Sequence, residues 1–306
     1  KRGNQMIVKI SSGKYDNESK VSRTYLPSFK EGSNIVRILP PVGNCAESGT
    51  WYAKWKIHFG FKGVPGKDQK EGKTFVFACP EEGTYNSRLK KFIVTKECPE
   101  CARIRENKAA LKKAESELIS KGKDEKTARK IVREAKENAA LNEFDRVHSM
   151  AEKVFVNGLT QDGQIGLLGI PRGVGKEAIE LIKAYFAKKQ RDPLETSGGF
   201  WLNFSKNGQG QFNTEYKVAI HKQEKIVDGE TVEVEVKAPL SEEILSRMES
   251  ECFDLSDLYP RITVEQVKRM VDSHYDPTVV SEVYEDVRAA KDAVKEEDGT
   301  HDPFAE

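Results

Sequence analysis

The stretch from Trp51 to Cys101 limits most narrowly what this chain can fold into. Within about fifty residues it holds His58, Cys79 and the run Cys98-Pro99-Glu100-Cys101, together with two Trp and five Phe. Zn²⁺ prefers four nitrogen and sulfur ligands in a tetrahedron, and a Cys-x-x-Cys turn presents two thiolates about the right distance apart. His58 and Cys79, each at the end of or beside an expected strand, would complete a site with no open position. The expected ligand set is therefore His58, Cys79, Cys98 and Cys101 around one structural zinc per chain, with His148 as the rival for the histidine. His148, His221, His274 and His301 otherwise read as surface or core residues, and Cys45 and Cys252 as inert thiols. Five Cys, three of them packed into positions 79 to 101, suit a reducing compartment and a metal better than a disulfide framework.

Charge narrows the class of partner. The net charge of +1 hides a segregation: residues 1–136 carry 30 Lys and Arg against 16 Asp and Glu, and residues 137–306 carry 20 against 33. A basic half with an acidic tail is the pattern of a polyanion binder that carries its own competitor. No apolar run approaches the roughly 18 residues of a membrane span, and Lys1-Arg2-Gly3-Asn4-Gln5 is not followed by a signal-peptide core. At 306 residues and 37% hydrophobic, the chain has material for about two domains.

In chain order, residues 1–24 read as an N-terminal arm or edge strand. Ile35-Val36-Arg37-Ile38-Leu39 forms a strand that stops at Pro40-Pro41, with Arg37 on the face opposite Val36 and Ile38. Trp51–Phe61 and Lys73–Ala78 are further strands, and short antiparallel strands of this kind suit a barrel. After Cys101 the period changes. Ile104, Leu111 and Leu118 recur at seven residues, Lys121-Gly122-Lys123 interrupts, and Ala128, Ile131, Val132, Ala135 and Ala139 resume at helical spacing behind Asp124 as N-cap, giving a helical hairpin. Strands return at Lys153–Asn157 and Ile165–Ile170. Pro171-Arg172-Gly173-Val174-Gly175-Lys176-Glu177 invites a phosphate loop, but the first-glycine position is Ile170 and the Mg²⁺ hydroxyl is replaced by Glu177, so an ordinary amphipathic helix over 177–189 is expected. A helix over 240–252 is expected behind Ser241, and another starts at the capping-box pattern Thr263-Val264-Glu265-Gln266. Residues 281–306, with 9 Asp and Glu against 3 Lys and Arg, read as a disordered acidic tail.

Aromatic residues beside cations are what single strands use, because any base offers a face to stack on. The candidate contacts are Arg37, Lys54, Trp55, Lys56, Phe61, Lys62, Arg88, Lys90, Lys91, Arg172, Trp201, Lys206, Phe212 and Tyr216. A zinc deaminase is the enzymatic alternative, but it needs His-x-Glu and an open metal position, whereas His58 is followed by Phe59-Gly60. The expectation is a non-catalytic protein. An RNA-binding or replication adaptor with an OB-like core is the other reading.

The chain resembles the zinc-containing single-stranded DNA-binding proteins of T-even bacteriophages. The likeness rests on Asn34-Ile35-Val36-Arg37-Ile38-Leu39-Pro40, on His58-Phe59-Gly60-Phe61-Lys62 with Cys79, on Cys98-Pro99-Glu100-Cys101, on Gly210-Gln211-Phe212-Asn213-Thr214-Glu215-Tyr216, and on Cys252-Phe253-Asp254-Leu255-Ser256-Asp257-Leu258. It covers roughly residues 30–275. It implies that His58, Cys79, Cys98 and Cys101 bind the zinc and that Arg37 faces the nucleic acid. The resemblance implies an OB-fold β-barrel core (25–57 and 153–239) with a zinc subdomain (58–101); with the N-terminal arm (1–24), helical hairpin insertion (102–152), C-terminal helices (240–278) and acidic tail (279–306) read from the residues, the expected fold class is α+β. The implied partner is single-stranded DNA, and the acidic tail reads as a surface for replication and recombination proteins; of the basic N-terminal arm that the family uses for contacts between neighbouring copies only Lys1-Arg2 stands here, so cooperative self-association is left open. The implied location is the cytoplasm, that of the host if the chain is phage-encoded. The helical insertion is longer than the resemblance accounts for, so its role is not carried over.

Overall fold

A computed structural model describes residues 23–298 apart from 43, 48, 67–71, 87–90, 190–191, 193, 209–213 and 228–229. In chain order the elements are β1 (Gly32–Ile38), α1 (Asn44–Glu47), β2 (Ala53–Lys62), β3 (Thr74–Ala78), β4 (Glu82–Asn86), β5 (Lys91–Lys96), α2 (Pro99–Ser120), α3 (Glu125–Glu134), a 3-10 turn (Lys136–Asn138) and α4 (Ala139–Val147). They continue with β6 (Ser149–Thr160), β7 (Ile165–Pro171), α5 (Arg172–Lys189), β8 (Leu202–Asn207), β9 (Glu215–Ile220), β10 (Lys222–Val227), β11 (Glu230–Glu235), α6 (Glu242–Glu251), α7 (Val264–Asp272) and α8 (Pro277–Asp298). The chain is mixed α and β, its strand ladders are antiparallel, and no pairing among the described strands closes a barrel. It divides into two compact units, one of residues 1–51, 156–169 and 177–254 and the other of 52–155, 170–176 and 255–306. The strands β6 and β7 and the helix α5 each contribute to both.

In the first unit β1 lies between the end of β6, through Val36↔Thr160 to Ile38↔Gly158, and β8, through Gly32↔Lys206 to Val36↔Leu202; β9 then pairs with β8. The core gathers Leu39, Leu159, Ile165, Leu240, Met248 and Cys252, with Val42, Trp201 and Ile244 packed at its edge. Helix α6 begins where expected because the Ser241 hydroxyl accepts from the Ile244 N–H, satisfying one of the orphan donors of the first turn. The buried amide of Asn157 is matched twice, donating to the Phe253 carbonyl and accepting from the Phe253 N–H, both at 2.9 Å. The hairpin β10–β11 was not foreseen from the sequence. Lys222–Val227 is exposed throughout, so no buried face imposed an alternation that could be read.

In the second unit β2 pairs with the first half of β6, from Ala53↔Phe155 to Phe59↔Ser149, and with β3, where the register slips between His58 and Phe61. Gly60 makes that slip possible: its φ is +100°, and a Cβ there would lie 2.4 Å from the Val147 carbonyl oxygen. The core collects Phe61, Phe75, Phe77, Cys98, Cys101, Ile262, Val267, Met270, Val280, Val283 and Val287. Helix α2 ends at Ser120, and Asp124 caps α3 by accepting from Thr127 N–H at 3.0 Å. The expected second arm of the hairpin is two pieces, because the chain leaves the helical region at Ala135 (ψ 128°) before the 3-10 turn and α4.

Two expectations are corrected here. Residues 281–306 were expected to be disordered, yet α8 runs to Asp298, with Val280, Val283 and Val287 buried. Their spacing builds an apolar stripe on an acidic segment, and local period outweighs net charge. Residues 299–306, like 1–22 of the arm, lie outside the described residues. The glycine-rich run ends β7 at Pro171 and then forms the opening turns of α5, which starts at Arg172 rather than 177. Gly175 is there for packing: a Cβ would sit 2.5 Å from the Val154 side chain.

Candidate metal centre

Three elements of the second unit deliver four ligand atoms to one point. His58 comes from β2 just before the Gly60 slip, Cys79 follows the end of β3, and Cys98 and Cys101 occupy the N-cap and first turn of α2. Pro99 opens that helix at a position where its missing N–H costs nothing. The four donor atoms all lie within 4.8 Å of one another. The His58 Nε2 is 3.5 Å from Cys98 Sγ and 3.4 Å from Cys101 Sγ, and Cys79 Sγ is 3.5 Å from Cys101 Sγ. His58 and Cys98 are fully buried, Cys101 nearly so, and Cys79 partly exposed.

The donor set fits a tetrahedral, thiolate-rich ion such as zinc. Three thiols facing one another cannot all ionise without a cation. Hydrogen bonds from Cys101 and then Cys98 pull Cys79 down to about 3, whereas Cys101 and Cys79, followed by burial, push Cys98 up. With Zn²⁺ and three thiolates the centre would carry one net negative charge, and the surroundings answer it. Burial disfavours the Lys56 ammonium, but Glu81, Cys101 and Cys79 outweigh burial and hold it charged. The nearly buried Glu81 carboxylate pairs with both Lys56 and Arg105, and Arg105 also reaches Glu97 at 2.6 Å. The backbone ties the same shell together: Cys79 N–H donates to Lys56 O at 2.8 Å and Glu81 N–H to Cys79 Sγ at 3.5 Å. The outer nitrogen of His58, Nδ1, is buried without a partner among the described residues.

His148, the rival ligand, has another task. Its Nδ1 lies 3.1 Å from Oε1 of Glu100, whose Oε2 accepts from the Tyr275 hydroxyl at 2.7 Å. Glu100 is fully buried between the two cysteines of the α2 turn. His148 stacks on Phe144 and leans on Tyr275, and the Arg103 guanidinium lies 5.2 Å from the Tyr275 ring centre. Nothing in the sequence pointed to this network, whose members are 48 and 175 residues apart. In the first unit, Cys45 bonds Asp254 at 3.4 Å, and burial, with Glu251 adding to it, pushes the Cys252 thiol up to about 12.

The expected nucleic-acid contacts do not form one set. Arg37 is fully buried, with Nη2 donating to the Glu195 carbonyl at 2.6 Å and with Nε and Nη1 without a partner among the described residues. Strand period places a side chain on a face but does not say whether that face is covered. Phe61 is also fully buried and belongs to the core, in contact with Phe77, Tyr275 and His148. Trp55 is half-buried, donates to Leu255 O at 3.0 Å and has Arg261 over its ring. Lys56 is committed to Glu81, and exposed Arg172 pairs with Glu152. Lys54 is exposed beside the Tyr52 ring, and Lys62 is exposed. Trp201 is half-buried against the first core, Lys206 donates to Phe29 O at 3.2 Å, and Tyr216 is tilted against Phe29. Arg88, Lys90 and Phe212 lie outside the described residues, and Lys91 is described as backbone in β5. Among the described residues no helix is long and apolar enough to cross a membrane.

Compared with known proteins, the chain matches no family model and no curated protein.

Proposed function

We propose that this chain is a sequence-independent single-stranded DNA-binding protein with an OB-type core and one structural zinc, holding melted strands during replication, recombination and repair. The observation that carries the reading is the convergence of His58, Cys79, Cys98 and Cys101. These are the four residues that the phage-protein resemblance assigns to zinc, and they meet across up to 43 residues of sequence. Four protein ligands leave no position for a reacting water, which supports a structural rather than a catalytic metal. The excess of 30 Lys and Arg over 16 Asp and Glu in residues 1–136 supports a polyanionic partner.

The zinc, when bound, would supply cross-linking: it ties β2, the end of β3 and the start of α2 together. The protein's own residues do the rest. Exposed cations such as Lys54 and Lys62 neutralise phosphates and release counterions, and half-exposed rings such as Tyr216 stack on bases. The acidic residues of 281–306 are the surface for replication and recombination proteins.

The test is an equilibrium titration of the full chain with a (dT) oligomer and a matching duplex over a salt series. Binding to the single strand should weaken with log salt at a slope of about −0.7 per phosphate neutralised, with duplex binding much weaker. A flat salt response, or equal affinity for duplex, would refute the reading.

A further inference from the structure

The three thiols of the metal centre are not equally reachable. Cys98 is fully buried at the N-cap of α2 and Cys101 is buried within its first turn, whereas Cys79 is half-buried where the chain leaves β3. Oxidants attack thiolates, and among thiolates the ones they can reach. The surroundings of Cys79 favour both the charge and the approach. The Lys56 ammonium is held by Glu81 and by the Cys101 and Cys79 sulfurs, and the half-exposed Arg105 stands on the far side of Glu81.

A second thiol is already in place to follow the first. Cys79 Sγ lies 3.5 Å from Cys101 Sγ, so the two sulfurs need to close by about 1.5 Å to reach disulfide length. Cys79 lies beyond the last residue of β3 and outside any helix or strand, so it can make that movement while Cys101 stays anchored in α2. Cys45 and Cys252 are buried in the first unit and provide an internal reference for thiols that peroxide does not reach.

We infer that Cys79 and Cys101 form a redox-sensitive pair through which hydrogen peroxide, entering at Cys79, opens the metal centre. The Cys79 thiolate attacks one peroxide oxygen, the O–O bond breaks, hydroxide leaves and a sulfenic acid forms. The Cys101 thiolate then attacks that sulfur, the S–S bond forms and a second hydroxide leaves. Two electrons pass from the two sulfurs to the peroxide. His58 and Cys98 remain as half a ligand set, so zinc is released and the tie between β2, β3 and α2 is lost with it; a dithiol reverses the oxidation. The inference rests on the structural-zinc part of the functional reading and adds its regulation.

The experiment exposes the zinc-loaded full chain to hydrogen peroxide and follows released zinc with a chromophoric chelator. Remaining thiols are then alkylated in denaturant, and disulfides are mapped by peptide mass spectrometry. One zinc should be released for each Cys79–Cys101 disulfide formed, with Cys45, Cys98 and Cys252 recovered alkylated, and dithiothreitol with added zinc should restore the metal. Cys79→His keeps a tetrahedral nitrogen and sulfur set without the reachable thiolate, and should retain zinc at the dose that empties the wild type; if that variant binds no zinc, the wild-type map decides alone. A Cys98–Cys101 disulfide, earlier oxidation of Cys45 or Cys252, or zinc retained at a dose that fully oxidises added free cysteine overturns this inference and leaves the functional reading standing. A wild-type chain that binds no zinc overturns both.

Discussion

The two units bury charge in opposite ways. In the second unit, three thiols and an imidazole meet in the core, and Lys56, Glu81 and Arg105 form a surrounding shell of alternating charge. In the first unit the Arg37 guanidinium lies fully buried with one hydrogen bond to a carbonyl and, among the described residues, no partner for its other two nitrogens. Even the nearest carboxylate in sequence to that carbonyl, Glu195, is turned to the Ser197 hydroxyl. Burial alone pulls the Arg37 pKa down to about 10. The difference teaches that buried ionisable groups stabilise a fold only where partners answer them; without partners they persist at a cost.

Metal removal tests the first half of that comparison and should have the largest effect. Stripping the ion with a chelator, or replacing Cys98 by Ala, is expected to destabilise the second unit by on the order of 10 kcal/mol. Hydrogen exchange should report it as lost protection at Phe61 and Phe77, with protection at Leu39 and Leu159 retained. Uniform loss in both units would erase the distinction drawn here.

Arg37→Met tests the other half, with the opposite sign. Replacing an uncompensated buried cation by an apolar chain of similar length should stabilise the protein by about 1–3 kcal/mol in denaturant unfolding. Because the folded pKa is depressed towards 10 from its ordinary 12.5, the cost of the buried charge is present below pH 10 and fades only as pH rises through that range. The gain should therefore be constant between pH 6 and 9. A loss of stability would mean that Arg37 has partners that this account misses.

A smaller effect sharpens the contrast within the second unit. Tyr275→Phe removes the donor to Glu100 Oε2 and leaves a buried carboxylate oxygen unanswered, so it should cost about 1–3 kcal/mol. No change in unfolding midpoint would show that water replaces the hydroxyl.

How much of this was legible in the sequence depended on whether the signal was local. The convergence of His58, Cys79, Cys98 and Cys101 was legible because Cys-x-x-Cys with a preceding Cys and His is a statement about residue type and spacing together. The caps at Asp124, Ser241 and Thr263 were legible for the same reason. Arg37 and Phe61 were misplaced because a period of two assigns faces and says nothing of what covers them. The order of α8 was not legible from the acidic composition of 281–306, because net charge says nothing of the Val280, Val283 and Val287 spacing that buries one side of the helix. The Glu100–His148–Tyr275 network joins residues distant in sequence, and no single stretch carries it.

Zinc X-ray absorption on the protein as purified, with metal content determined on the same sample, is the most direct test of the central claim that this chain is built around a closed structural metal centre. The account predicts one zinc per chain with about three sulfurs at ~2.3 Å and one nitrogen at ~2.0 Å. An oxygen in the first shell, fewer sulfurs, or less than stoichiometric metal would contradict it.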